Sequence, residues 1–260
     1  MLVGIDNDVY NRKGHTWWDS GNPLSFLHGS LGTGRFDYFA SVLAQWWGDD
    51  ATGRSAVDVG CGGGFLAERF AELGLGVVGV DPSEVALAAA RDHAAGAGLE
   101  IDYRVGSGEA LPVEDASADL VYCCDVLEHV DDVDAVLSET ARVLRPGGLY
   151  VFDTINRTAV SWVVAIKIMQ EWRLTRMFDT PIHDWSMCIR PGELTTLMHA
   201  HGIRSREIVG LGAAFEEPVA RRGHGAGGAG PVAVRGGQPA ARLRAGELDR
   251  DLVHGYGVKE

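Results

Sequence analysis

Short apolar runs alternate with longer segments of helical periodicity along much of this chain. Five runs predict strands, and the three segments between them carry apolar residues at helical spacing. The predicted strands are Ala56–Val59, Gly76–Val80, Ile101–Val105, Leu120–Cys124 and Gly148–Asp153, and the predicted helices are Gly64–Leu73, Pro82–Ala95 and Val133–Leu144. Strands that alternate with helices predict an α/β fold built on a parallel sheet.

Composition narrows the classes of protein that such a fold can serve. The chain has 260 residues, enough to bury a full core, and its 36 acidic against 23 basic residues give a net charge of −13. This excess of acid argues against a broad phosphate-binding face for nucleic acid. The four cysteines form no CxxC spacing, and no leader-like or membrane-spanning run occurs. We therefore expect a soluble, cytoplasmic protein, peripheral to a membrane at most.

Changes in composition divide the chain into parts. Residues 1–50, rich in tryptophan, predict a helical cap over the carboxyl edge of the sheet, and residues 51–212 predict the core. Within this core, residues 154–202 predict a helical lid insertion. Residues 213–260 form an atypical tail, since Arg221–Arg244 holds five arginines, many glycines and no acid, which is typical of a flexible segment.

The turn after the first predicted strand, in AVDVGCGGGFLAERF, carries four glycines in five residues. A P-loop needs Gly-Lys-Ser/Thr, whereas these glycines run into Phe65 and Leu66. A dinucleotide G-x-G-x-x-G motif that starts at Gly60 meets Phe65 in place of its third glycine, and one that starts at Gly62 ends on Ala67. NAD is therefore disfavoured without being excluded. S-adenosylmethionine has no phosphate and needs close approach to the backbone, so glycines without a basic partner suit it.

Acidic residues at the ends of the strands indicate an adenosine. Asp81 ends the second strand, where a carboxylate accepts hydrogen bonds from both ribose hydroxyls of NAD or of S-adenosylmethionine. Glu109 follows the third strand, within reach of an adenine amino group. With Asp58, Gly60 and Gly62 at the end of the first strand, these residues form the predicted cofactor-binding set.

The glycine turn is one of four motifs, which are VDVGCGGG, GVDPS, DLVYCCDVLEHV and RVLRPGGLYVFDTINR. Together they resemble the class I S-adenosylmethionine-dependent methyltransferases. The segments TWWDSGNPLSFLH, TINRTAVSW and HDWSMCIRPGEL add a closer resemblance to the ubiquinone-biosynthesis O-methyltransferases, the 3-demethylubiquinone 3-O-methyltransferase family, which methylate phenolic hydroxyls of polyprenyl precursors. The resemblance runs from Tyr10 to Gly212. It implies a Rossmann-like, mostly parallel seven-stranded sheet with an antiparallel C-terminal strand.

The resemblance also implies an activity and the contacts that serve it. Arg35, Gly60, Asp81 and Cys124 match the family's contacts to S-adenosylmethionine, with Arg35 placed to pair with the methionine carboxylate. The implied reaction is methyl transfer to a phenolic or catechol oxygen of a quinone precursor. Methylation of a small molecule of secondary metabolism is the alternative.

Methyl transfer to a phenol requires a group that handles the proton. A phenol like tyrosine has a pKa of about 10 and is mostly protonated at neutral pH. A general base or a metal ion therefore has to lower the free-energy cost of removing its proton. Asp125, Glu128 and His129, in CDVLEHV, offer oxygen and nitrogen ligands for Mg²⁺, Mn²⁺ or Zn²⁺. In the similar quinone enzymes this trio resembles a divalent-metal site. The alternatives are that His129, with Glu128, acts as base or orienting group, or that the trio is structural and Asp125 orients the methionine amino group.

Residues outside these motifs are expected to cover the acceptor. His28 and His183 are candidates to orient an aromatic hydroxyl, with simple packing as the alternative. Trp17 and Trp18 either line an apolar ring site or brace a helix against the core. The segment Ala159–Met177 predicts either an amphipathic lid or a helix at a bilayer interface that admits a prenyl tail.

The C-terminal segment DLVHGYGVKE is expected to supply the last strand, although Gly255 and Gly257 weaken it. Two functions of other classes stay open beside methyl transfer. A short-chain oxidoreductase would need NAD, but the chain has no Tyr-x-x-x-Lys. A catalytically silent S-adenosylmethionine-binding module is disfavoured by the acid and histidine trio beside the predicted pocket.

Overall fold

The computed structural model describes residues 6–19, 30–48, 50–176, 180–211 and 252–260. Its centre is a seven-stranded sheet in the order β3-β2-β1-β4-β5-β7-β6. The strands are β1 Ser55–Val59, β2 Gly76–Asp81, β3 Asp102–Val105, β4 Ala118–Cys123, β5 Leu144–Ile155, β6 Ile203–Leu211 and β7 Leu252–Lys259. Strand β7 is antiparallel to both of its neighbours, and the other neighbouring strands pair in parallel. The predicted α/β class with an antiparallel C-terminal strand is confirmed.

Helices cover both faces of the sheet. The α-helices are α1 Asp8–Lys13, α2 Ser30–Trp47, α3 Phe65–Glu72, α4 Glu84–Ala97, α5 Val133–Val143, α6 Ala159–Ser161 and α7 Pro191–Ala200. A π-helix spans Trp162–Glu171, and two 3₁₀ turns span Gly14–Thr16 and Trp185–Met187. Side chains of α2, α3 and α4 share one core cluster, and side chains of α5 and α7 share the other. Within the predicted N-terminal cap, α2 therefore packs on a face of the sheet.

Capping residues explain where two of the helices begin. The side chain of Ser83 accepts a hydrogen bond from the Ala86 N–H at 3.2 Å, and that of Asp132 accepts one from the Ala135 N–H at 3.0 Å. Each satisfies one of the four backbone donors that a helix leaves unpaired at its start. Helix α4 ends where Gly98 adopts a left-handed conformation. Local chemistry thus decides the bounds of the helices that flank the site.

The glycines of β7 are required by its position between β5 and β6. A Cβ at Gly255 would overlap the carbonyl oxygen of Glu207, and one at Gly257 would lie 2.6 Å from Met198 Cε on α7. The sequence interpretation regarded these glycines only as weakening the strand. In the sheet, the lack of a Cβ at these glycines lets β7 fit between its close neighbours. His28 and residues 221–244 lie outside the described part of the chain.

His254 on β7 is buried and its ring stacks on Tyr38 with centroids 4.2 Å apart. Burial, with the nearby charge of Arg35 adding to it, lowers the pKa of His254 to about 4. In the unfolded chain this histidine has its ordinary pKa of about 6.5, so as pH falls the unfolded state is protonated before the folded state. His254 therefore lowers the free energy of unfolding progressively as pH falls from about 6.5 to about 4. We expect His254→Phe to gain about 2 kcal/mol relative to the parent protein between about pH 7 and pH 5. Urea unfolding of both proteins at the two pH values measures this difference, and a pH-independent difference would contradict it.

Candidate active site

A cavity of about 360 Å³ opens at the carboxyl ends of β1, β2 and β4. The chain passes from β1 to β2 on one side and returns to β4 on the other, and such a reversal of strand order leaves a crevice that binds ligands in open α/β sheets. The volume lies in the range of small-molecule pockets, roughly 300 to 1,000 Å³. Nine predicted site residues line it, namely Arg35, Asp58, Gly60, Gly62, Asp81, Glu109, Cys124, Asp125 and His129, whereas Glu128 and His183 do not.

Two tryptophans of the N-terminal segment, Trp17 and Trp18, pack against the backbone of the glycine turn. A Cβ at Gly62 would lie 2.8 Å from the ring of Trp17, and one at Gly63 would lie 2.7 Å from Trp17 Cβ. Trp18 adds a hydrogen bond from its indole Nε1 to the Gly63 carbonyl at 3.0 Å. Trp17 also lines the cavity, so it both braces the turn and forms part of the cavity wall. The sequence interpretation assigned these glycines to the ligand alone and missed this packing.

Asp81 holds the glycine turn against the start of α4. Its Oδ2 accepts a hydrogen bond from the Gly62 N–H at 2.9 Å, and its Oδ1 accepts one from the Ser83 N–H at 2.8 Å. Burial raises the pKa of Asp81, and these two backbone donors oppose that rise. Each carboxylate oxygen is thereby oriented at the cavity wall and keeps capacity for a further donor, such as a ribose hydroxyl.

Arg35 lies between two acids at the other end of the cavity. Its Nη2 is 2.7 Å from Asp125 Oδ2, and its Nε pairs with the fully buried Asp153. Burial by itself would lower the pKa of Arg35, but the charges of Asp125 and Asp153 outweigh it and raise that pKa. Burial raises the pKa of Asp153, and Arg35 opposes the rise. Arg35 is therefore a fixed cation whose side chain is held from both sides.

Asp125 adopts an unusual backbone conformation. Its φ is +54°, and its N–H donates to Asp153 Oδ1 at 2.8 Å. Non-glycine residues in this region are uncommon and concentrate at functional sites. Sequence analysis did not single out Asp153, although an acid at the carboxyl end of a predicted buried strand was a signal for it.

Three side chains that could act on an acceptor come together next to this network. Each of Glu128, His129 and His183 offers one potential metal-ligand atom, and these atoms lie within 4.8 Å of one another. The imidazole centroids of the two histidines are 4.9 Å apart. Burial lowers the pKa of His129 to about 3, with His183 adding to the shift, and burial lowers the pKa of His183 to about 4. Burial also raises the pKa of Glu128 well above its usual range, with Asp125 and Asp153 adding to it. The predicted trio was Asp125, Glu128 and His129. In the structure Asp125 pairs with Arg35, and His183 is the third member of the cluster with Glu128 and His129.

Two residues of the N-terminal segment hold His129 in place. The Tyr10 hydroxyl lies 3.2 Å from His129 Nε2, and Asn7 Nδ2 donates to the His129 carbonyl at 2.9 Å. Both also line the cavity. Sequence analysis did not identify them, because a single Tyr and a single Asn in a polar segment carry no distinctive spacing.

The remaining predicted residues in the cavity wall are Asp58, Cys124 and Glu109. Asp58 is buried on β1, where burial raises its pKa well above the usual range and Asp81 adds to the rise. Burial likewise raises the pKa of Cys124, so this side chain is a neutral thiol. Glu109 lies in the turn after β3. That these residues contact an adenosine stays a prediction.

Comparison with known proteins supplies the class of ligand and reaction. The family model described as a methyltransferase domain matches residues 57–152. The ubiquinone biosynthesis O-methyltransferase of Azorhizobium caulinodans is 34% identical over 208 residues, which cover 78% of this chain and 81% of that protein. The chain belongs to the ubiquinone biosynthesis O-methyltransferase family. It is therefore an S-adenosylmethionine-dependent O-methyltransferase, as the four motifs indicated.

Another relative and two solved structures agree with this assignment. The ubiquinone biosynthesis O-methyltransferase of Ruegeria pomeroyi is 37% identical, with 80% of this chain and 79% of that protein covered. The S-adenosylmethionine-dependent methyltransferase from Mesorhizobium loti is similar with a TM-score of 0.53 at 22% identity, covering 81% of this chain and 93% of that one. The one from Aquifex aeolicus has a TM-score of 0.52 at 15% identity, with 85% and 88% covered. At these identities the structures support the fold alone.

The methyltransferase cavity fits S-adenosylmethionine in two places. Asp81 lines the cavity, where we expect it to bind the ribose diol, and the Arg35–Asp125 pair presents a cation and an anion that match the carboxylate and ammonium of a methionine tail. We expect the buried Arg35 to meet the carboxylate of that tail and the half-buried Asp125 to meet its ammonium group.

Asp81→Asn is expected to weaken S-adenosylmethionine binding about 100-fold. The change keeps the size of the side chain but replaces one charged acceptor by a donor, and hydrogen bonds to charged groups contribute about 1.5–3 kcal/mol each. Calorimetric titration measures the affinity, with NAD titrated separately into the same protein. Glu84→Gln, at the exposed start of α4, is the matched control and should bind like the parent. Binding of NAD in place of S-adenosylmethionine would contradict the fit.

Proposed function

We propose that this enzyme methylates a phenolic or catechol hydroxyl of a polyprenyl quinone precursor. The observation that carries the proposal is the position of His129 at the cavity, as a neutral imidazole beside the buried carboxyl of Glu128. The relatives named for ubiquinone biosynthesis support the class of acceptor. A small phenol of secondary metabolism is the alternative acceptor.

In the proposed reaction His129 is the general base that accepts the phenolic proton. S-adenosylmethionine supplies an electrophilic methyl group to the acceptor oxygen. His129 Nδ1 is buried, so in the tautomer that carries the hydrogen on Nδ1 the lone pair of Nε2, beside the Tyr10 hydroxyl at the cavity wall, takes the proton. The nearby charge of Asp125 raises the pKa of His129 against the effect of burial, and so favours the imidazolium that forms. Tyr10 and Asn7 hold the ring in the orientation that this step needs.

The same cluster also suits a divalent cation, which we propose as a second way to activate the acceptor. Glu128 Oε1 and His183 Nδ1 are buried without a hydrogen-bond partner among the described residues. Two imidazoles and one carboxylate favour Zn²⁺ or Mn²⁺ over Mg²⁺, which prefers oxygen ligands. Such an ion would lower the pKa of a coordinated phenol. Glu128, His129 and His183 would hold it, while Asp125 stays with Arg35.

A methyl-transfer assay over a panel of acceptors tests the proposed function. The panel contains a short-chain prenyl catechol, a prenyl hydroquinone and simple catechol, each with labelled S-adenosylmethionine. We expect turnover of the prenyl compounds to exceed that of catechol. Turnover of small phenols alone would favour the secondary-metabolism alternative. Absence of transfer to every acceptor, with S-adenosylmethionine bound, would favour a silent binding module.

The same assay separates the base from the metal. EDTA treatment followed by addition of Zn²⁺, Mn²⁺ or Mg²⁺ compares activity with and without each ion. Activity that survives EDTA supports His129 as the base. Activity that returns only with an added ion supports metal activation.

We further propose that the lid segment contacts a membrane surface, from which a long-tailed acceptor enters. No helix in the described part of the chain is long and apolar enough to cross a bilayer. Several large apolar side chains of this region are nevertheless exposed, namely Val160, Trp162, Val163, Val164, Trp172, Leu174 and Trp185. Basic residues Lys167, Arg173 and Arg176 lie among them. Apolar side chains flanked by basic ones are typical of segments that bind at an anionic interface.

Liposome flotation tests this surface. We expect Trp172→Glu with Leu174→Glu to reduce binding to anionic vesicles at least tenfold, because Leu174 is 99% exposed and both changes place charge at the interface. Ile166 is unsuitable as a probe, since it is only 8% exposed and packs inward. Glu171→Gln is the control and should float like the parent. Absence of binding by the parent protein would leave the segment as a lid without membrane contact.

A further inference from the structure

Gln170 is an uncharged residue near the end of the π-helix, and its side chain makes three hydrogen bonds to one short stretch of backbone. Its Oε1 accepts from the Ile182 N–H at 2.7 Å and from the His183 N–H at 2.5 Å. Its Nε2 donates to the His183 carbonyl at 2.9 Å. One side chain thus satisfies both backbone groups of His183.

The stretch that Gln170 holds carries a member of the acceptor site. Residues 181–184 have no regular secondary structure, yet Ile182 is buried and His183 lies beside His129 and Glu128. A backbone without helix or strand bonds depends on side chains for its position. The place of His183 relative to His129 therefore depends on Gln170.

The same stretch is tied on its other side to the segment that holds His129. The Asp6 N–H donates to the Pro181 carbonyl at 2.8 Å, and Asn7, the next residue, bonds the His129 carbonyl. The lid helix and the N-terminal segment thus each fix one histidine of the pair, and the 181–184 stretch connects them.

The π-helix places Gln170 where this clamp is possible. Its backbone bonds span five residues, as in the Trp172 N–H to Lys167 carbonyl bond at 2.8 Å. Such helices are rare and are frequent at functional sites. The wider turn changes which side chains face inward, so Ile166 and Gln170 point toward the protein while Trp162 and Glu171 face outward.

We propose that Gln170 is a positioning residue that couples the lid helix to the acceptor site by holding His183 against His129. This inference rests on the proposed function, because it assigns the lid a part in assembling the groups that act on the phenol. The lid then acts on the reaction through Gln170, in addition to covering the pocket. S-adenosylmethionine is expected to bind through Asp81 and Arg35, neither of which bonds to Gln170 or to residues 181–184, so its affinity should not depend on the clamp.

The test compares three variants with the parent enzyme. Gln170→Met keeps the length of the side chain and removes all three hydrogen bonds, whereas Gln170→Glu keeps both acceptor bonds and loses the donor. Glu171→Gln, on the exposed side of the same helix, is the control. The readouts are kcat and KM with the prenyl catechol, Kd for S-adenosylmethionine, and amide hydrogen exchange of peptides that contain residues 181–184.

We expect Gln170→Met to lower kcat about 10- to 100-fold, since misplacement of site groups by about 1 Å can cost that much. The Kd for S-adenosylmethionine should stay within twofold, and exchange at residues 182–183 should accelerate at least tenfold. Gln170→Glu should recover part of the kcat, because it keeps both acceptor bonds but turns its second oxygen toward the His183 carbonyl. A general loss of folding would instead change Kd and exchange across the whole protein, and a wild-type kcat in Gln170→Met would overturn the proposal. If the parent methylates no phenol, the proposed function fails, and the exchange comparison alone decides whether Gln170 holds His183.

Discussion

Alanine at Arg35 is expected to abolish S-adenosylmethionine binding and to lower the free energy of unfolding by about 3–5 kcal/mol, the largest effect of any single change that we predict. Arg35 is 4% exposed and lies between Asp125 and Asp153. Its removal leaves two carboxylates close together without a cation, and such groups either repel one another or take up protons. The expected partner of the methionine carboxylate is lost at the same time.

Urea unfolding and calorimetric titration measure the two effects of Arg35→Ala separately. The control is Arg91→Ala on α4, whose guanidinium is partly exposed and pairs with Glu84. Adding Asp153→Asn to Arg35→Ala should recover part of the stability without restoring binding, because it removes the unpaired buried charge. A stability loss below about 1 kcal/mol with binding intact would refute the role of Arg35 as the central cation.

Alanine at His129 is expected to lower kcat about 10²- to 10⁴-fold while leaving the affinity for S-adenosylmethionine nearly unchanged. Loss of a positioned general base typically costs this much, and an uncatalysed phenol stays protonated at neutral pH. Tyr10→Phe should cost less, about tenfold, because it removes the hydroxyl that orients the imidazole and keeps the base.

Steady-state kinetics with the prenyl catechol check this prediction. His201→Ala, which removes a histidine that pairs with Asp134 away from the cavity, serves as the control and should keep the parent's kcat. An unchanged kcat in His129→Ala would show that neither base nor metal chemistry depends on this ring. A loss that added Zn²⁺ or Mn²⁺ reverses would assign the role to the metal.

The two histidines illustrate what could be anticipated from sequence and what could not. His129 follows a predicted strand in a dense motif, DVLEH, so its place at the carboxyl edge of the sheet followed from the fold class. His183 is 54 residues further along, in a segment without strand or helix periodicity, and was only one of several histidines expected near the acceptor. Its place beside His129 depends on Gln170, Pro181 and Asp6, which lie far apart in the chain.

The lid segment shows a second limit. The sequence predicts an amphipathic helix over Ala159–Met177 but not its exposed face: in the π-helix Ile166 is buried while Val163 and Val164 are exposed. Because a π-helix turns less per residue, the face predicted from a period of 3.6 shifts progressively. The apolar composition was informative, but the orientation of each side chain was not.

The sequence by itself determined the first five strands with the three helices between them, the glycine turn, Asp81 at the tip of β2 and the methyltransferase family. These features depend on periodicity and on residues close together in the chain, which are local signals. The tertiary structure alone decided that Asp125 and Asp153 share Arg35, that Trp17 covers the glycine turn, that Gly255 and Gly257 admit β7 to the sheet, and that His183 joins His129. Each of these is a contact between distant segments, whose free energy depends on burial and on fixed geometry that no local pattern encodes.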